Sequence, residues 1–180
     1  MAGPADSSVA KPSPGWSRRL PTDERLFLWL IAVSVTAMTA FTIAWVAGLG
    51  SQNVPDNTYR TTPAAFQQQV ADFTKQYLGD DGKVHVPPGV DAYLMAQRYG
   101  FTPQLVLKAG HTYRIWVSSY DVLHGFSLVG AHQNLNLEVV PEHVAAVKLT
   151  PEKPGTYLIV CNEYCGLQHH LMRGQIIVEE

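Results

Sequence analysis

The sequence predicts a mainly β fold, a sandwich or small Greek-key barrel, tethered by one N-terminal transmembrane helix. An apolar stretch near the N-terminus contains no charged residue, and the second half of the chain consists of short β-type runs separated by turn-forming residues. At 180 residues the chain has the length of one ordinary domain with accessory segments. We expect a disordered, cytoplasmic N-terminus over 1–25, a transmembrane helix over 26–50, a linker with an amphipathic helix over 51–84, and the β domain over 85–180.

The first predicted element is the membrane helix. The stretch 26–50 is uncharged, and at about 1.5 Å per residue it can cross a hydrocarbon core ~30 Å thick. Trp29 and Trp45 lie near its two ends, where indole rings favour the membrane interface. A signal peptide is the competing interpretation, but its apolar core is typically only about 7–15 residues long. We therefore expect an uncleaved, single-pass anchor in the plasma (inner) membrane.

Basic residues are distributed unevenly around this stretch. Lys11, Arg18, Arg19 and Arg25 precede it, and the next basic residue is Arg60. Because cytoplasmic flanks carry an excess of Lys and Arg, the N-terminus should be cytoplasmic and the C-terminal part extracytoplasmic or periplasmic. The lipid bilayer is therefore one expected partner. The net charge of −2 and the lack of a basic patch argue against nucleic acid as another.

An amphipathic helix is expected between the anchor and the β domain. Apolar residues recur every three or four positions over 63–77. Thr62 suits the N-cap, and Pro63 suits the first helical position. The pattern does not decide whether this helix lies on the membrane surface or on the β domain.

Short β runs follow, with turn formers such as Ala109-Gly110 between them. Many short strands at this spacing are typical of sandwiches and small Greek-key barrels. The runs occupy 105–107, 112–117, 135–140, 144–149, 156–161 and 174–178.

The segment between the last two β runs concentrates metal-binding side chains. It reads Cys161-Asn-Glu-Tyr-Cys165-Gly-Leu-Gln-His169-His-Leu-Met172, and its soft or borderline ligands suit copper or zinc. His124, in Asp121-Val-Leu-His124-Gly-Phe, lies upstream and can complete the set. One cysteine, two histidines and a weak methionine make a blue-copper site. Cys161 is then a surplus thiolate that can bridge a second copper.

Other uses of these side chains are weaker. A disulfide is the common use of two extracytoplasmic cysteines, but here it would close too short a loop to stabilise the fold much. A zinc site of two Cys and two His has the right ligand count but would not recruit methionine. We assign the remaining histidines to the core or surface: His85, His111, His132, His143 and His170, the last of which adjoins His169.

These motifs resemble the dinuclear copper (CuA) signature of cytochrome c oxidase subunit II. The resemblance runs from about Tyr93 to the C-terminus and includes Asn136-Leu-Glu-Val-Val-Pro141 and Lys153-Pro-Gly-Thr-Tyr157. It implies a cupredoxin-like Greek-key barrel. By the family pattern the cysteines bridge two copper ions, each histidine binds one, and the methionine and a glutamate backbone carbonyl are weak axial ligands. The implied metal ligands are His124, Cys161, Glu163, Cys165, His169 and Met172.

The resemblance also implies a function. The chain would accept electrons from a c-type cytochrome at the copper centre and pass them to haem in the catalytic subunit I of a terminal oxidase, an oxidoreductase and translocase. Oxygen would be reduced on that other subunit. Two alternatives stay open: the CuA subunit of a nitric oxide reductase, and a membrane-tethered protein that binds or delivers copper.

Some family features are open or altered in this chain. In many relatives the acidic side chain at the position of Glu163 helps to bind magnesium at the interface with the catalytic subunit. Single-helix relatives often have glutamine at this position. One predicted membrane helix instead of two resembles the short subunits of B-type oxidases. Tyr99 and Phe101 correspond to the aromatic cluster that receives electrons, or they simply pack the barrel. Asp121 either supports His124 or caps a turn.

Overall fold

The computed structural model describes residues 21–49, 55–130 and 135–180. The chain divides into two compact units, Met1–Ser51 and Gln52–Glu180. Of the expected disordered N-terminus, 1–25, residues 1–20 lie outside the described residues, as does His132, whereas residues 22–25 are helical. The predicted β domain, 85–180, falls within the second unit, which also includes the segment from Gln52 onward.

The first unit contains one long apolar helix. Helix α1 spans Thr22–Ala44 and continues into a π-helical turn, Trp45–Leu49. None of the described residues in α1 is buried. The segment Thr22–Leu49 is long and apolar enough to cross a membrane. It begins before the predicted position 26 because Asp23, Glu24 and Arg25 are accommodated in the first helical turn, where acidic side chains suit the helix dipole.

The second unit opens with a helix that lies on the β domain. Helix α2 spans Pro63–Tyr77, as predicted, and the Thr62 side chain accepts a hydrogen bond from the backbone N–H of Ala65 at 3.2 Å. Its apolar face buries Phe66, Val70 and Phe73. This burial answers the question that the sequence left open, because the apolar stripe is covered by the protein itself.

Strands and the loops between them make up most of the other described residues of the second unit, which confirms the mainly β prediction. Several strands were not expected from the sequence. Some are very short, and β3 is buried along most of its length and so does not alternate between polar and apolar residues. The strands are β1 Asn57–Arg60, β2 Val84–His85, β3 Ala92–Gln97, β4 Gly100–Thr102, β5 Leu105–Lys108, β6 Tyr113–Ser119, β7 His124–Val129, β8 Leu135–Val139, β9 His143–Leu149, β10 Gly155–Val160 and β11 Arg173–Glu179.

The strands pair in the order β1-β9-β6-β3-β4-β11-β10-β7-β8, and β5 pairs with β11 and β2. Strands β7, β10 and β11 are antiparallel neighbours, whereas β3 and β6 are parallel. Their inward side chains form one apolar core that includes Tyr113, Ile115, Phe126 and Ile159, none of which is exposed.

Strand direction brings the candidate ligands to one end of the barrel. Strand β10 ends at Val160, which pairs with Arg173 at the start of β11, so the segment 161–172 is the loop between them. Strand β7 runs antiparallel to β10 and begins at His124. The parallel strands β3 and β6 end together, and the Tyr120 N–H donates to the Ala96 carbonyl at 2.9 Å.

Candidate metal centre

The loop 161–172, called the metal loop below, is closed by backbone hydrogen bonds. The Cys161 N–H donates to the Met172 carbonyl at 3.3 Å, which extends the β10–β11 ladder by one step. A 3-10 turn covers His169–Leu171, and the Met172 N–H donates to the His169 carbonyl at 3.0 Å. In such a turn residues three apart share one side. The turn therefore presents the His169 and Met172 side chains to the same region.

The donor atoms of the predicted ligands form a continuous series. The Nδ1 atom of His124 lies 3.9 Å from the Cys161 Sγ, and that sulfur lies 3.9 Å from the Cys165 Sγ. The Cys165 Sγ is 3.7 Å from the His169 Nδ1 and 3.6 Å from the Met172 Sδ. The Cys161 Sγ also lies 3.2 Å from the Glu163 carbonyl oxygen. The structure thus brings all of the sequence-predicted ligands together.

His124 is oriented by Asp121. The Nε2 atom of His124 lies 2.8 Å from the Asp121 Oδ1. Burial raises the pKa of Asp121, but the hydrogen bonds from His124 and from the Val122 and Arg98 N–H groups outweigh that effect and lower the pKa. An ionised carboxylate only accepts hydrogen bonds, so the Nε2–H group of His124 donates to Asp121, while Nδ1 faces Cys161.

The candidate donors are largely withdrawn from solvent. The exposed fraction is 0% for His124, 4% for Cys161, 3% for Cys165 and 1% for Met172, whereas His169 is partly exposed. Both cysteines are free thiols. Burial, followed by the hydrogen bond with Cys161, raises the pKa of the Cys165 thiol to about 11. Without a metal this thiol is therefore protonated at neutral pH.

The arrangement fits soft metal ions. Ligand atoms about 2.0–2.3 Å from one ion lie roughly 3.3–3.8 Å apart when the geometry is tetrahedral, close to the spacings along the series. His124, Cys161 and Cys165 present donor atoms within 4.8 Å of one another. Two thiols, two imidazoles and a thioether are donors that copper prefers and that magnesium and calcium avoid.

A close contact beside the ligands fixes the separation of β7 from the metal loop. A Cβ atom on Gly125 would lie 1.8 Å from the Asn162 Oδ1 and 2.7 Å from the Asn162 backbone nitrogen. The Asn162 Nδ2–H donates in turn to the Asn136 Oδ1 at 2.8 Å. The residues next to His124 and Cys161 are thus packed against each other. Gly125 and Asn136 stand in the motifs quoted above, yet their contact with Asn162 was not expected from the sequence.

The other histidines and aromatic residues that the sequence analysis considered are not among these donors. His85, His111, His143 and His170 are exposed, in line with the surface assignment. The Tyr99 hydroxyl lies against the metal loop, 2.7 Å from where a Cβ on Gly166 would be. Phe101 instead packs edge-on against Phe126, with ring centroids 6.1 Å apart. Arg98, which the sequence did not indicate, donates from Nε to the Cys165 carbonyl at 2.9 Å.

Comparison with known proteins identifies relatives of this second unit. The family model of the cytochrome c oxidase subunit II periplasmic domain matches residues 95–180. A cytochrome c oxidase subunit 2 of Thermus thermophilus is 39% identical over 95 residues, which cover 52% of this chain and 69% of the relative. A second such subunit, from a named strain of the same organism, is 39% identical over 95 residues and is covered to 55% of its length.

A solved structure extends the similarity to most of the chain. A chain from a haem-copper terminal oxidase dimer, studied by cryo-electron microscopy, aligns with a TM-score of 0.51 and 26% identity. The alignment covers 87% of this chain and 99% of the other. The predicted cupredoxin-like barrel with one N-terminal apolar helix is thereby confirmed. The chain belongs to the cytochrome c oxidase subunit II family, whose members are subunits of haem-copper terminal oxidases.

Proposed function

We propose that this chain is the subunit through which electrons enter a terminal oxidase, by way of a dinuclear copper centre. His124, Cys161, Cys165, His169 and Met172 would hold the copper with their side chains, and Glu163 would hold it with its backbone carbonyl. One observation carries the proposal: two buried thiols lie 3.9 Å apart, each with a histidine Nδ1 within 3.9 Å on its other side. A blue-copper site, which uses one thiolate, two imidazoles and a weak methionine, has no use for the second thiol.

The copper centre, when bound, supplies a site that gains and loses one electron at a time. The protein keeps the ligands in place while the charge changes. Asp121 fixes the His124 ring, and the backbone bond between Cys161 and Met172 closes the metal loop on the β10–β11 ladder. Ligands that are held before the metal arrives rearrange little when the charge changes, which favours fast electron transfer.

Burial of the donors also weighs against the copper-delivery alternative. A delivery protein must release its metal to a partner, which requires exposed and exchangeable ligands. Here both cysteines are at most 4% exposed. The set therefore favours retention of the metal within the barrel.

We further propose the partners and the location of the chain. The helix Thr22–Leu49 anchors it in the plasma (inner) membrane with the N-terminus in the cytoplasm, because the basic residues precede the uncharged stretch of that helix. The barrel faces the periplasm, where a c-type cytochrome donates electrons. The catalytic subunit receives them at haem and reduces oxygen. The partly exposed Glu163 side chain is the candidate magnesium contact at that interface.

Metal content tests the dinuclear site. The full-length chain, purified in detergent and loaded with copper, should bind two copper ions per chain and share one unpaired electron between them. Cys161→Ser should shift the site towards mononuclear behaviour, since only Cys165 then remains as a thiolate. One copper per wild-type chain, or a four-line electron spin resonance pattern from it, contradicts the proposal.

The substrate of the complex needs a separate measurement. The native complex, purified through this chain, should show haem absorbance and should consume oxygen when a reduced c-type cytochrome is supplied. Turnover of nitric oxide but not of oxygen would instead assign the same copper site to a nitric oxide reductase.

A further inference from the structure

The turn between β3 and β4 contacts the metal loop through two consecutive residues. The Nε–H group of Arg98 donates to the Cys165 carbonyl at 2.9 Å. The next residue, Tyr99, places its hydroxyl against Gly166, where φ is +138° and a Cβ would lie 2.7 Å from that oxygen. Two adjacent residues of the turn thus contact two adjacent residues of the loop. Neither Arg98 nor Tyr99 is itself a predicted metal ligand.

Arg98 also reaches the other side of the site. Its backbone N–H donates to the Asp121 Oδ2 at 3.1 Å, and its Nε lies 3.7 Å from the same oxygen. The second carboxylate oxygen of Asp121 holds the His124 ring. Arg98 therefore connects the carbonyl of one cysteine to the carboxylate that orients one histidine, and it does so between segments far apart in the chain.

We propose that Arg98 is a positioning residue of the metal centre, which holds the Cys165 end of the metal loop and supplies a fixed positive charge beside it. The role of this charge rests on the proposed copper function. The guanidinium of an arginine carries one positive charge. A nearby positive charge favours the form of the centre that carries one more electron. Removing the charge should therefore lower the reduction potential.

Two substitutions separate the charge from the hydrogen bond. Arg98→Gln removes the charge and keeps a polar side chain. Arg98→Lys keeps the charge but loses the planar Nε–H donor that meets the Cys165 carbonyl. Arg114→Gln is the matched control, because Arg114 on β6 is exposed to a similar extent, 41% against 47% for Arg98, and its guanidinium pairs with Asp56 and Asp91.

The first measurement needs no copper. In the copper-free full-length chain in detergent, amide hydrogen exchange of the metal loop should be about tenfold faster in both Arg98 variants, since each loses the bond to the Cys165 carbonyl. The Arg114→Gln control should exchange like the wild type in this loop. Because copper is absent, this result stands or falls independently of the proposed function.

The second measurement uses the copper-loaded chain. Arg98→Gln should lower the reduction potential and shift the visible absorption bands. Arg98→Lys, which keeps the charge, should have a potential close to that of the wild type. Arg114→Gln should change neither the potential nor the absorption bands. If Arg98→Gln keeps both the reduction potential and the loop exchange rate of the wild type, the proposal is overturned. It is also overturned if Arg114→Gln shifts the potential equally, because the shift would then come from the net charge of the protein and not from the position of Arg98. If Arg98→Gln does not fold, Arg98→Lys decides through loop exchange, and an unchanged rate overturns the proposal.

Discussion

Met172 is a residue at which sulfur chemistry and side-chain volume can be separated. Its Sδ lies 3.6 Å from the Cys165 Sγ, and the side chain is only 1% exposed. Met172→Leu keeps the apolar volume, so we expect it to cost less than about 1.5 kcal/mol of the free energy of unfolding. Copper should still bind, but the reduction potential should change because a weak axial ligand is lost. An unchanged potential would mean that the sulfur is not a ligand.

The adjacent histidines give the second prediction at this scale. The His169 Nδ1 lies 3.7 Å from the Cys165 Sγ, whereas His170 is exposed. We expect His169→Ala to abolish the absorption spectrum of the loaded site and His170→Ala to leave it nearly intact. The opposite result would move the ligand by one position and would also bring the assignment of Met172 into question.

The spacing of individual residues was enough to select the donor side chains that the structure brings together, but it did not indicate their surroundings. Cysteine, histidine and methionine are rare enough that their clustering within one loop by itself indicates metal chemistry. The contacts of Arg98 with Cys165 and of Gly125 with Asn162 join segments that are distant in the chain. Arginine and glycine have many uses, so their sequence positions alone do not reveal such contacts.

At the scale of elements, the approach of β7 to the metal loop depends on Gly125. A Cβ there would lie 1.8 Å from the Asn162 Oδ1, so Gly125→Ala must displace Asn162 and with it the neighbouring Cys161. We expect a loss of about 1–3 kcal/mol in the free energy of unfolding, measured by denaturant titration, together with weaker copper binding. Gly100→Ala is the control, because its nearest atom, the Arg173 carbonyl oxygen, is 4.0 Å away. Equal effects of the two changes would contradict this account.

Helix α2 should stabilise the barrel through its buried aromatic residues. Phe66 is 0% exposed and packs in a cluster with Met95, Trp116 and Val144. Phe66→Ala should therefore cost about 3–5 kcal/mol of the free energy of unfolding. The exposed residue Gln67 on the same helix is the control, and Gln67→Ala should stay within about 0.5 kcal/mol. A small effect of Phe66→Ala would mean that α2 is not part of the cooperative unit.

Local signals determined how well each element could be predicted. The bounds of α2 follow from a capping threonine, a proline and a regular apolar stripe, and the structure reproduces them. Strand β8 alternates between buried and exposed residues and was expected. Strand β3 is buried on both faces, and β2 spans only Val84–His85. Their existence depends on pairing with distant strands, which a local pattern does not contain.

At the scale of the whole molecule, the chain combines an apolar helical unit with a β unit that carries the metal loop. The uncharged stretch and the β runs predicted this division, because hydrophobicity and periodicity are averaged over many residues. The orientation in the membrane stays a prediction. It depends on the basic residues before the uncharged stretch, three of which, Lys11, Arg18 and Arg19, lie outside the described residues.

Copper loading of the whole protein should depend on pH through the buried thiol of Cys165. Because burial raises the pKa of this thiol to about 11, the group is protonated in the copper-free protein at neutral pH. A thiolate is the form that binds metal, so loading must release this proton. Apparent affinity for copper should therefore increase about tenfold per pH unit for each proton released as the pH rises from about 6 to about 8.

Proton release can be measured directly with a pH-indicator dye while copper is added to the weakly buffered chain. Cys165→Ser should release fewer protons per chain than the wild type, because one of the two thiols is absent. Loading without proton release near neutral pH, or an affinity that is constant over the same pH range, would show that the Cys165 thiol is already ionised. In the copper-free chain the raised pKa of Cys165 makes the free energy of unfolding fall at high pH. The contribution of the protonated thiol to stability is present below the ordinary thiol pKa and is lost as the pH rises towards about 11. The copper-loaded protein, whose thiolates are already ligated, should not show this loss.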